Sequence, residues 1–164
     1  MTLGPVIKEY SSEYQTEVVD LILEIQQEEY NVPITKDDQP DLFEIEDFYQ
    51  TGKGNFWVAL YNGKVVGTIS LLDIGDSHVA LRKLFVKKEF RGSTYNTANL
   101  LLNRAIEWAR EQSIKAIYLG TTPQFVAAHR FYEKNGFENI DVEELPDSFP
   151  ILKVDKKFYK YVVR

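Results

Sequence analysis

Two places in the 164-residue chain carry residue types and spacings suited to chemistry. The first is residues 85–101, FVKKEFRGSTYNTANLL, where an apolar strand end runs through a basic, small and polar turn into a helix. A helix start leaves backbone N–H groups unpaired and carries partial positive charge, so it suits a phosphate. Residues 92–97 (Gly92, Ser93, Thr94, Tyr95, Asn96 and Thr97) are placed to wrap one. A polar helix cap holding no ligand is the competing reading. The second place is Tyr132. It shares one helical face with Ala128, Phe131 and Asn135, so the end of that helix can turn a phenol, a proton donor, into a cleft. With ten tyrosines in the chain, a plain core or rim role is the alternative.

Composition narrows the chemistry. There is no cysteine, which removes disulfides, thiol nucleophiles and thiolate metal sites together. His78 and His129 lie far apart, so no metal is expected. The net charge of −6 argues against nucleic acid as a partner. The opening MTLGPVIKEYSSEY lacks a basic start and an apolar run, and no stretch approaches the roughly 20 apolar residues of a membrane helix. A soluble cytoplasmic chain with no membrane partner is the expectation, as one domain over residues 1–164. The acidity is local. From Glu24 to Asp47 nine acids stand against Lys36 alone, a segment charge of −8, so the other 140 residues carry +2.

The elements that must position these residues can be read along the chain. PVIKEY reads as a first strand. Ser12 and Gln15 at capping-box spacing open an amphipathic helix with Val18, Leu21, Ile22 and Ile25 on one face. After the loop NVPITKDDQP, a short helix DLFEIEDFYQTG is stopped by Gly52. Asn62-Gly63 between two β-rich runs predicts a type I′ hairpin. HVALRKLFV is a further strand, and Ala98, Leu101, Leu102, Ala105, Trp108 and Ala109 form the core stripe of a helix. KAIYLGT is a buried strand, then a helix follows with Pro123 early and Gly136 after its end, and Phe137 and KFYKYVV begin closing strands. Trp57 and Trp108 read as core or half-buried, while His78, His129 and Arg130 read as solvated surface. The order implies an α/β sandwich: a mixed, mostly antiparallel sheet of six to seven strands with helices on both faces.

LRKLFVKKEFRGSTYNTANLLL resembles the acyl-CoA-binding motif of the GNAT superfamily of N-acyltransferases, and IYLGTTPQFVAAHRFYEKNGFE resembles that family's later strand-loop-helix. The element order fits over essentially the whole chain, and the tail ELPDSFPILKVDKKFYKY resembles a bacterial branch. The resemblance implies a GNAT-like fold and acetyl-CoA as co-substrate. Its pyrophosphate would lie on residues 92–97 beside Arg91, and its pantetheine arm along Leu84, Phe85 and Val86 like an added strand. Ala128 and Phe131 would also line that site. Tyr132 takes the family's place for the acid that protonates the leaving thiolate. An acetyl group would then pass directly to a primary amine, with no acyl-enzyme through a thiol.

Departures accompany the match. The motif's two glycine positions hold Thr94 and Asn96, and a β-branched Thr94 fits a left-handed backbone poorly. Ser93, Thr94 and Thr97 hydroxyls are the expected compensation. Phe125 stands where the family often has Asn, and Ala80 where it often has an acid, so no general base is legible. Glu28, Glu29 and the Asp141–Asp147 stretch are candidates by location only. A strand N–H near Leu84–Phe85 would meet the oxyanion. The acid-rich segment 24–47 and DVEELPDSFP fall on the family's acceptor side, so a cationic small-molecule or peptide amine is the expected acceptor. The resemblance also leaves a homodimer open. The departures keep one alternative in view, a non-catalytic CoA-binding or regulatory module that retains the fold.

Overall fold

Asn62 and Gly63 both take positive φ, 52° and 78°, and fold β2 (Asn55–Tyr61) back onto β3 (Lys64–Gly75) as a tight hairpin. In this computed structural model, which describes residues 4–164, that hairpin sits within one seven-stranded sheet. The first three residues, part of the segment read for a leader, lie outside the described region. The other strands are β1 (Val6–Glu9), β4 (His78–Val86), β5 (Ala116–Thr121), β6 (Glu138–Ile140) and β7 (Lys157–Val162). Their order is β1-β2-β3-β4-β5-β7-β6, antiparallel except for the parallel β4–β5 pair. This is the expected mixed sheet.

Both faces are covered, and β2 shows why its residues are almost all apolar. Phe56, Val58 and Leu60 point to one side, against Val18 and Ile22 of α1 (Gln15–Leu23) and Ile45 and Tyr49 of α2 (Ile45–Tyr49). Trp57 and Ala59 point to the other side, against Leu101, Leu102 and Ala105 of α3 (Thr97–Glu111) and Tyr132 of α4 (Val126–Lys134). Gly67 of β3 lets α3 come close, since a Cβ there would lie 3.0 Å from Leu101 Cδ1. No helix among the described residues is long and apolar enough to cross a membrane.

Several local readings need correction. Ser12 and Gln15 form no capping box; Ser12–Tyr14 is a 3₁₀ turn leading into α1 with no side-chain cap. The first helix also does not run regularly to Tyr30. It widens into a π turn over Glu24–Glu29, held by a buried Gln26 Nε2 bond to Gln39 Oε1 (3.2 Å) and by Gln27 Nε2 to Ile34 O (2.9 Å). The capping box of this region is Thr35–Asp38, inside the segment read as loop. The second helix is split into a 3₁₀ turn (Pro40–Phe43) and α2, which ends before Gly52. Pro123 lies in a turn ahead of α4 and is not part of it. His129 is half-buried, its Nε2 2.9 Å from Thr122 O, and ties α4 to the preceding turn.

Candidate active site

The parallel pairing of β4 with β5 extends only over His78–Ala80 against Ala116–Tyr118. Beyond it the strands part. The β5-facing backbone of Leu81–Val86 is therefore left without a ladder partner, while β5 stays fully paired to β7 on its other side. The gap is a cavity of about 300 Å³. Leu84, Phe85, Val86, Arg91, Ala128, Phe131 and Tyr132, all singled out in the sequence, line it together. Its walls are mainly apolar. Phe125 stacks edge-on against Tyr30 (4.9 Å) and Phe85 (6.0 Å), bridging the start of α4 to β4 where the family often has Asn.

Tyr132 is 6% exposed, packed against Phe137 and Tyr159, and lines the cavity. Burial, and secondarily the neighbouring Tyr159, push its phenol well above the usual value, so it is protonated at neutral pH. That is the state a proton donor requires. Thr122 adds a second polar group to the wall: its Oγ1 is buried and has no hydrogen-bond partner among the described residues. A buried hydroxyl left unpaired is costly, so a ligand with a polar group suits it.

The residues expected to wrap a phosphate divide. Gly92 (φ 90°) and Asn96 (φ 54°) supply the left-handed positions, and Thr94 keeps ordinary dihedrals. Asn96 makes no side-chain cap; it accepts from Asn99 Nδ2 (2.6 Å), so the first-turn N–H groups of α3 have no side-chain acceptor there. Ala98 opens that helix start onto the cavity. Thr97 corrects expectation: its Oγ1 donates to Phe90 O (2.9 Å), closing the loop, and is not free for phosphate. Tyr95 packs on Phe90 and Tyr61 (4.9 and 5.4 Å) and anchors the loop to the β2–β3 hairpin. Ser93 and Thr94 remain exposed. Arg91 is also committed: its Nε donates to Val86 O (2.8 Å) and its guanidinium is paired with Glu29. Glu29 is consequently a weak base, held below the usual carboxylate range by Arg91.

The unpaired edge of β4, the open start of α3 and the buried Tyr132 together suit a thioester carrier whose diphosphate meets a helix start and whose arm runs into a splayed sheet. The family model described as "Acetyltransferase (GNAT) family" matches residues 19–137. The chain belongs to the GNAT acetyltransferase family. A GNAT-family acetyltransferase structure from Staphylococcus aureus superposes with a TM-score of 0.95 at 41% identity, covering 98% of this chain and 100% of that one. An acetyltransferase structure from Streptococcus agalactiae gives 0.92 at 36%, covering 97% and 98%. N-acetylaspartate synthetase from Xenopus tropicalis is 37% identical over 106 residues, 63% of this chain. The match spans only 38% of that relative's length.

Sequence reasoning missed a pair of cations in the wall of this cavity. At the β3–β4 pairing, Thr68 faces Phe85 but Ser70 faces Arg82, so Lys83 and Leu84 together oppose one residue. Lys83 takes a left-handed φ of 59° at this bulge. The bulge turns two consecutive side chains the same way: Arg82 Nη2 and Lys83 Nζ lie 3.9 and 3.6 Å from Asp41 Oδ2. Both cations line the cavity. Desolvation lowers the Lys83 ammonium to about 8, against the pull of Asp41. Of the acids behind the cationic-acceptor expectation, Asp41 is buried in that cluster, Glu29 is paired, and none lines the cavity. Asp141 and Glu144 cap one another at an exposed 3₁₀ turn.

Proposed function

We propose that residues 1–164 form one catalytic unit, an acetyl-CoA-dependent N-acetyltransferase that moves an acetyl group directly to the primary amine of a small molecule. The carrying observation is the cavity between β4 and β5, with a protonated Tyr132 in its wall and the start of α3 at its mouth. Acetyl-CoA fits this chain's residues. Residues 92–97 and the first-turn N–H groups of α3 would hold the diphosphate. Backbone groups of Leu84–Val86 would pair with the pantetheine amides, and Thr122 Oγ1 is a further donor for that arm. The bound thioester supplies an electrophilic carbonyl carbon. Arg91, engaged by Glu29, braces the loop.

In the transfer, the acceptor nitrogen attacks that carbon, the C–S bond breaks, and Tyr132 gives its proton to the departing sulfur. Two acceptor classes have support in the chain. A cationic amine has support from the acid-rich segment 24–47, whose acids stand outside the cleft. An amine that also carries an acidic group has support from Arg82 and Lys83 within it, and from a relative named N-acetylaspartate synthetase. We take the second.

A non-catalytic CoA-binding module retains support from Thr94 and Phe125 alone. Calorimetry with acetyl-CoA, followed by thiol-release assays over amines of each charge type, separates these readings. Binding with acceptor-dependent thiol release is expected. Binding without turnover on any acceptor points to the module, and no binding rejects both.

A further inference from the structure

At the acceptor end two cations have a single acid in direct ion-pair contact. Arg82 and Lys83 share one carboxylate, Asp41, whose Oδ2 already accepts the Tyr49 hydroxyl at 2.5 Å. Asp155 lines the same cavity from the segment that leads into β7, with no ion pair to either cation among the described residues. Its Oδ2 accepts the Leu152 N–H (3.0 Å), and no hydrogen bond among the described residues engages Oδ1. The carboxylate stands directly over Gly120 of β5, where an added Cβ would come within 2.7 Å of Oδ2. Only a residue without a side chain at 120 lets Asp155 sit there.

We propose that Asp155 takes the proton from the acceptor's ammonium while Arg82 and Lys83 hold a carboxylate of the same acceptor molecule. The inference rests on the N-acetyltransferase reading and assigns its base and its acceptor clamp. An acceptor with an ammonium and a carboxylate matches both walls at once: the anion meets the two β4 cations that share Asp41, and the cation meets Asp155. Other acids are worse placed. Glu29 is spent on Arg91, and Glu28 and the Asp141–Asp147 acids do not line the cavity.

The charged groups facing Asp155 are Arg82 and Lys83 from β4 and Lys156 beside it; β5 presents Gly120, which carries no charge. The cations and the Leu152 N–H favour the carboxylate, but burial outweighs them and raises the acid above its ordinary value. A carboxylate so raised accepts a proton more readily. The protons balance as follows. Asp155 removes one from the ammonium, and the freed amine forms the C–N bond. As the C–S bond breaks, the nitrogen sheds its second excess proton, replacing the one Tyr132 gives to sulfur. Asp155 then releases its proton to water.

The test uses the full chain with acetyl-CoA and a panel of L-amino acids, the corresponding amino amides, and spermidine, reading thiol release against pH. At least one amino acid is expected to be turned over, with its amide at least about tenfold slower. Asp155→Asn should lower kcat about a hundredfold at neutral pH and move the acid limb of kcat/KM up to the ionisation of the acceptor amine, so that activity recovers at high pH. Asn can still accept the Leu152 N–H, and a melting curve checks its fold. Gly120→Ala, which displaces the carboxylate without removing it, should reproduce part of the loss. Lys83→Gln should raise the acceptor KM more than it lowers kcat. Acetyl-CoA binding by calorimetry should stay within about twofold in all three variants. An acid limb left at its original pH in Asp155→Asn, a preference for spermidine, or no turnover on any amino acid overturns the proposal while leaving the CoA site standing. No acetyl-CoA binding by the unaltered protein removes the transferase reading and this inference with it.

Discussion

Arg91 grips Glu29 across 62 residues of chain, with Nη2 to Oε1 at 2.7 Å and Nη1 on the other carboxylate oxygen. The pair fastens the π turn to the end of β4, so the two walls of the cavity mouth are tied at one point. Its guanidinium also stands 5.8 Å from the Tyr30 ring centroid.

Removing that tie should be mild. The two side chains are 32% and 28% exposed, so solvent screening limits the coupling to about 1 kcal/mol or less. Arg91→Ala should weaken acetyl-CoA binding by roughly threefold to tenfold, without abolishing it. The Glu29 carboxyl is lowered in the fold, so the pair's contribution is complete above the unfolded value of 4.5 and fades as pH falls. A double-mutant cycle with Glu29→Gln, melted at pH 7 and pH 3.5, checks both statements.

Tyr132→Phe keeps the ring that packs on Phe137 and Tyr159 and deletes only the proton donor. Turnover should drop by about a hundredfold, with acetyl-CoA affinity and melting point nearly unchanged. Steady-state kinetics beside calorimetry measures the split. Unchanged turnover removes Tyr132 from the chemistry.

Asn96 occupies a left-handed position at the start of α3. Asn96→Gly should be close to neutral in stability, because glycine enters that region freely. Asn96→Ala should cost about 1 kcal/mol, with the loop's hold on the diphosphate loosened. Chemical denaturation of the two variants, compared with their CoA affinities, decides it.

Lys83 carries a pH signature. Its folded value, about 8, lies below the ordinary 10.5, so between those values the unfolded chain binds more protons. The Lys83 contribution to stability should therefore rise with pH through that window by about 3 kcal/mol, as the buried ammonium is relieved of its charge. Lys83→Met should flatten this rise. Denaturant melts of both proteins at pH 7, 9 and 10.5 give the difference, and parallel curves would refute it.

The sequence by itself determined whatever depends on neighbours within a few residues. The Asn62-Gly63 turn needs two positive φ angles, and those residues tolerate them. The alternation through Phe56, Trp57, Val58 and Ala59 sets which face each side chain buries, and the α3 stripe at helical spacing sets its core side. Tyr132 and the residues of the α3 start were legible for the same reason, as short motifs on one strand end or one helix face. Only the tertiary structure decided what each polar group meets. Lys83 contacts Gln39 from 44 residues away, Arg91 is committed to Glu29, and Asp155 rests on Gly120 because β5 and the segment before β7 run side by side. Nothing in the local pattern of HVALRKLFV marks the bulge that sends Arg82 and Lys83 to one side; it depends on the register with β3. Charge followed the same rule. The acids of residues 24–47 are adjacent in the chain, but folding buries Asp41, pairs Glu29 and leaves others facing solvent, because long-range pairing and burial set the field in a cleft.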